Sequence, residues 1–188
     1  TPRLARRDGV APASARAWIS PGLGASTAFI SLSPGLVCVF DAPGRAGLTH
    51  QDIGAMGMST HQAWNAAAET LVGTATHGSC LELWVRDAAI SLGEGAPRGL
   101  EIRGGTAPAA SWLAHPRTFG ALQTHCAGVF ESRWRVTPRE LTYLSRDQRE
   151  LFVFAAPAHE VAQAVGSPGV VRYSLGFPLL YATRAAVA

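Results

Sequence analysis

Two kinds of hydrophobic spacing alternate along the chain. Thr27–Ser33 (TAFISLS) and Leu36–Asp41 (LVCVFD) are β-branched and aromatic runs around Ser33-Pro34-Gly35, which predicts a hairpin-like strand pair. The period then lengthens. Thr49 is placed to cap a short helix with Asp52 as its capping-box acid. Ser59 is placed to cap a longer one over Thr60–Val72, where Trp64, Ala67, Ala68 and Leu71 share a face and Gly73 is a suitable stop. Strand spacing returns at Cys80–Arg86, Ala88–Leu92 and Gly99–Arg103. Helical signals follow over Ala109–Ala114 and from Pro116 to about Gly128. Arg133–Thr137, Leu141–Leu144 and Leu151–Ala155 read as strands, Pro157–Val165 as a helix ending at Gly166, and Val170–Ser174 and Leu179–Thr183 as closing strands.

This pattern predicts an α+β fold: a mixed, mainly antiparallel sheet with four to five helices, in one globular domain over residues 26–188. Residues 1–25 mix Arg, Pro, Ala and Gly and read as a basic N-terminal arm. An internal echo suggests a degenerate duplication. Val39-Phe40-Asp41-Ala42-Pro43 leads to a segment from His50 to Gly57, and Val153-Phe154-Ala155-Ala156-Pro157 leads to one from His159 to Gly166.

Composition then removes several chemistries. All 16 basic residues are arginines, so a Schiff-base lysine, a Walker-type phosphate loop and an ordinary kinase are excluded. With one Asn and five Ile, the lack of lysine points to a GC-rich genome rather than to function. Hydrophobic residues make up 47% of the chain and charged ones 15%, which predicts a full core under a sparsely charged surface. The formal net charge of +3 lies wholly in residues 1–25, where four arginines face one aspartate, and the remaining acids and arginines cancel. That distribution argues against a nucleic-acid-binding body, although the arm itself is a candidate for such contacts. Cys38, Cys80 and Cys126 are odd in number and widely spaced, as expected of free thiols in a reducing, cytoplasmic setting. No apolar run is long enough to span a membrane.

Candidate chemistry is thin. His77 and Cys80, with His125 and Cys126, could supply four zinc ligands, but the adjacent pair has poor helical geometry, so no metal or other cofactor is expected. His50, Asp52 and His61 could act as a base and its orienter in a small hydrolase. Glu94 and Glu101 have no fixed separation that would support a glycosidase. The most suggestive patch is Arg133-Trp134-Arg135-Val136-Thr137-Pro138-Arg139. On a strand, Arg133 and Arg135 share an outer face able to dock an acidic partner, and Arg139 lies just beyond. Trp112, Leu113, His115, Pro116 and Phe119 form a second candidate surface.

The run LTHQDIGAMGMSTHQAWNAAAETL (Leu48–Leu71), with SWLAHPRTFGAL and VTPREL later, resembles uncharacterised bacterial proteins of the YtpQ type over residues 36–155. Its motifs are of low complexity, and the chain departs wherever that family has polar residues. The resemblance implies an α+β bacterial cytoplasmic protein and assigns no functional residue. The expected function is therefore a non-catalytic bacterial protein that binds another protein, as an immunity or adaptor-type factor does. The hydrolase is the alternative, and nucleic-acid binding through the arm a second one. Self-association is left open.

Overall fold

The computed structural model describes residues 1–10, 26–78, 80–103, 107–167 and 169–181. The expected α+β architecture is present. Five α-helices accompany antiparallel sheets, and every described strand pairing is antiparallel.

The first sheet has three strands in the order β1 (Pro2–Arg6), β3 (Leu36–Phe40), β2 (Phe29–Ser31). Strand β3 is buried along its whole length, which is why LVCVF reads as a continuous apolar run. The predicted β2–β3 hairpin is thus correct. The reading of residues 1–25 as an arm changes at its start. Pro2–Arg6 pairs with β3 from Pro2↔Phe40 to Arg6↔Leu36, and buried Leu4 contributes to the core. The strand is anchored by charge as well, since Arg3 Nε lies 2.6 Å from Asp41 Oδ2. The rest of the expected arm, residues 11–25, lies outside the described residues.

Helices α1 (His50–Ala55) and α2 (Thr60–Thr74) follow, each opened by the capping box its sequence calls for. Thr49 and Asp52 close the first box; Ser59 and Gln62 close the second. Gly73 does not stop α2. It is exposed within the last turn, and the Thr74 and Thr76 hydroxyls bond back to the carbonyls of Leu71 and Val72. The small hairpin of β4 (Thr76–His77) and β5 (Cys80–Leu81) comes next.

The second sheet has six strands in the order β11 (Phe177–Leu180), β10 (Val170–Ser174), β8 (Thr142–Leu144), β9 (Glu150–Phe154), β7 (Gly99–Arg103), β6 (Trp84–Asp87). Both its faces are covered. Leu151, Val153, Tyr143, Leu100 and Ile102 join the main core with Trp112 and Phe130. Phe152, Phe154, Leu144 and Val170 face the other way, onto α5 (Ala158–Val165). Alternate residues of one strand serve two cores because successive side chains point to opposite faces.

Two predicted strands do not form. Ala88–Leu92 contains the short helix α3 (Ala89–Leu92), because the Asp87 carboxylate accepts from the Ala89 N–H at 2.9 Å and starts the turn. Helix α4 (Pro116–Trp134) does not end near Gly128. Its buried stripe of Phe119, Leu122, Cys126 and Phe130 carries the helix past that glycine. A solvent-facing helical glycine costs about 1 kcal/mol. Burying a phenylalanine returns about 2–3 kcal/mol. Arg133–Thr137 is therefore no strand: Arg133 lies in the last turn of α4, and Arg135 is its left-handed C-cap at φ 57°.

The two units of the internal echo each run strand, turn, helix. Their strands sit in different sheets, β3 in the first and β9 in the second.

Candidate functional site

Arg133, Arg135 and Arg139 are all exposed, but they are presented by a helix end and the loop after it. Trp134, between the first two, is half-buried and packs on Phe130. The Arg133 guanidinium carbon lies 5.2 Å from the centre of the Trp134 ring. A residue missed in the sequence joins them: the Arg98 guanidinium carbon is 5.9 Å from the same ring. Two guanidinium groups thus share one indole, a cation–π arrangement that holds planar donors at the surface.

Electrostatically this end of α4 is unusual within the chain. No ion pair among the described residues involves Arg98, Arg133, Arg135 or Arg139. Arg3, Arg45, Arg86, Arg103, Arg117 and Arg146 each sit on a carboxylate. The helix tolerates the cations without acids because its C-terminus is the negative end of the dipole. The Arg135 N–H also bonds to the Glu131 and Phe130 carbonyls, leaving its side chain free to project.

Among the described residues, no hydrogen bond or ion pair joins His50, Asp52 and His61. Both Asp52 oxygens are occupied: Oδ2 accepts from the Thr49 N–H at 2.8 Å and the Thr49 hydroxyl at 2.6 Å, and Oδ1 from Arg45 Nη1 at 2.8 Å. The Thr49 hydrogen bonds, helped by Arg45, hold this carboxyl below its ordinary range. The exposed His50 ring lies 3.4 Å from the Thr60 hydroxyl, and exposed His61 meets Trp64 edge-on. A groove of about 460 Å³ along β1 is lined by residues including Arg3, Gly47 and Gln148, and by none of these three.

The zinc candidates separate. His77 and Cys80 face each other across the exposed β4–β5 hairpin, while Cys126 is buried in α4. The described residues contain no group of three or more side chains that could hold a metal. The second candidate surface is interior instead: Trp112, Leu113 and Phe119 are core, and His115 caps α4 by accepting from the Arg117 N–H.

The most ordered charge cluster was also missed in the sequence. Glu101 on β7 is fully buried yet ionised. Arg86 donates to it at 2.6 and 2.9 Å, Ser91 at 2.7 Å and Arg103 at 2.9 Å. Burial pushes the carboxyl pKa up, but these hydrogen bonds together outweigh burial and hold it at about 2. All its acceptor capacity is engaged, so the group stabilises structure and has no lone pair free for acid–base work.

Sequence could have hinted at Glu101 through the alternating signs of Arg86, Glu101 and Arg103, which antiparallel pairing of β6 with β7 sets side by side. Arg98 had no such signal, because its proximity to Trp134 depends on tertiary packing. No helix among the described residues is long and apolar enough to cross a membrane. Comparison with known protein families, curated proteins and solved structures found no match to this chain.

Proposed function

We propose that this chain is a non-catalytic protein-binding domain, of the immunity or adaptor type, that takes an acidic partner on the arginine-rich end of α4. One observation carries the reading: four exposed guanidinium groups, at Arg98, Arg133, Arg135 and Arg139, form no ion pair with a carboxylate among the described residues. Arginine and tryptophan are the residues that most often anchor interfaces, and Trp134 lies among these four. Arginine recognises carboxylates through paired donors, so an acidic protein segment fits the site chemically. Other described arginines offer less: the Arg7 guanidinium already donates to Ser31 and to the Ser33 and Pro34 carbonyls. Arg149 lines a groove with the acids Asp147 and Glu150, and Arg172 projects from β10.

The test is capture from a nuclease-treated lysate of the native host, at low and high salt, with wild type and an Arg133→Gln, Arg135→Asn, Arg139→Gln variant. The proposal expects one protein held near stoichiometrically by wild type and lost by the folded variant. Equal capture by both would place the interface elsewhere. Capture that appears only in a parallel lysate left without nuclease would favour nucleic acid instead.

A further inference from the structure

Among the described strands, β6 is an outer strand of the six-stranded sheet and pairs there with β7 alone. The register runs from Trp84↔Arg103 to Asp87↔Leu100, and the Ala88 N–H donates to the Gly99 carbonyl at 3.0 Å. Alternate residues of an antiparallel strand bond to the same neighbour. The backbone groups of Trp84, Arg86 and Ala88 therefore face β7, and those of Val85 and Asp87 point away from the sheet. An edge of this kind is a template for another strand.

Exposed apolar side chains stand at both ends of that edge. Trp84 is 78% exposed and Ile90, on α3, is 66% exposed. Trp84 and Arg86 lie on the sheet face that carries Glu101. Helix α3 is tied to the same face, because the Ser91 hydroxyl bonds both Arg86 and Glu101.

We propose that a second copy of this chain pairs with β6, antiparallel, about a twofold axis at Val85. Four symmetric registers are available to a strand reading Trp84-Val85-Arg86-Asp87, and an axis at Trp84 pairs Val85 and Arg86 with Leu83 and Glu82 of the second copy, which lie outside β6. An axis at Arg86 sets Arg86 against Arg86 of the second copy. An axis at Asp87 sets aspartate against aspartate. Like charges directly opposed destabilise a strand pair. An axis at Val85 avoids both and sets Trp84 opposite Arg86 of the second copy, twice by symmetry. That gives two guanidinium–indole contacts across the axis. It also brings Ile90 of the second copy toward Trp84. Arg86 is already fixed by Glu101 and Ser91, so it loses little side-chain freedom on pairing. The outward N–H and C=O of Val85 complete two hydrogen bonds with their symmetry mates.

Sedimentation equilibrium over a wide concentration range tests this. Wild type should reach the mass of two copies. Val85→Pro removes the outward N–H and leaves the β7 ladder intact, a place where an edge strand accepts proline, and should give single-copy mass. Trp84→Arg sets arginine against Arg86 and should weaken association at least about tenfold. Circular dichroism and thermal melting check that each variant is folded. Should Val85→Pro fail to fold, the exposed Trp84→Arg substitution still decides. A wild type of single-copy mass at every concentration overturns the proposal, as does a dimer that survives the folded variants.

Discussion

Two arginine clusters in this chain are built from the same side chain and do opposite things. Around Glu101, Arg86 and Arg103 spend their donors on one buried carboxylate, and Ser91 takes the remaining acceptor position. At the end of α4, Arg98, Arg133, Arg135 and Arg139 form no ion pair among the described residues, and two of them lie against Trp134. The first cluster is closed and structural. The second is open, so its binding capacity is unspent. Guanidinium groups are informative about acid binding only when their partners are counted, because an arginine whose N–H donors are spent has none left to grip another carboxylate.

Substitution can break this contrast. Glu101→Ala should have the largest effect, leaving two arginines without their acid. A fully buried pair loses about 3–5 kcal/mol on such a change, but Arg86 and Arg103 are partly hydrated, so about 2–3 kcal/mol is expected. Calorimetry should show a melting temperature lower by roughly 5–10 °C. The same group sets an acid limit. Its folded pKa, at about 2, lies below the ordinary 4.5, so its contribution is full above pH 4.5 and is lost as pH falls toward 2. Denaturant melts across that window should show the loss, and the Glu101→Ala variant should show less of it.

His115 provides an independent, smaller test of charge at the other end of α4. Its Nδ1 accepts from the Arg117 N–H at 3.0 Å and its Nε2 lies 3.1 Å from Asn65 Oδ1. Burial, then the nearby Arg117 charge, lowers its pKa below the ordinary 6.5. The folded state therefore favours neutral imidazole, and stability should fall as pH drops below 6.5. His115→Asn keeps a capping oxygen and should reduce that slope; the part that remains reports His125, whose pKa burial also lowers. At the open cluster the sign reverses. Arg135→Gly relieves a left-handed non-glycine residue and should raise stability by about 1 kcal/mol. Arg133→Gln and Arg139→Gln should shift the melt least, within about 0.5 kcal/mol, because each removes a surface charge without an ion pair. If they destabilised the chain as much as Glu101→Ala, the open cluster would be structural too.

Much of the fold could be read from local pattern. The Thr49 and Ser59 caps, the β2–β3 hairpin, β7 and α5 all follow from residues close in sequence, which is where capping and alternation act. The misread elements were those decided at a distance. Pro2–Arg6 looks like a basic tail until β3 gives it a partner. Arg133–Thr137 alternates like a strand, but buried Phe130 keeps the preceding helix intact up to its edge. Glu101 looks like the outward residue of an amphipathic strand, and Arg86, fifteen residues away, together with Ser91 and Arg103, allows it to be buried as a charge. Of the candidate site, the three arginines were legible as residues. Their presentation and their fourth member, Arg98, were not, because both depend on how the ends of α4 and β7 pack.

The cysteines have a practical consequence. Burial pushes the Cys38 and Cys126 thiols up to about 12, so neither presents thiolate to solvent at neutral pH, while Cys80 is exposed on the β4–β5 hairpin. The native chain therefore carries a single address for maleimide chemistry. A fluorophore or spin label attached there would sit four residues before the start of β6, and would report by distance or quenching whatever approaches that edge, with no engineered cysteine required.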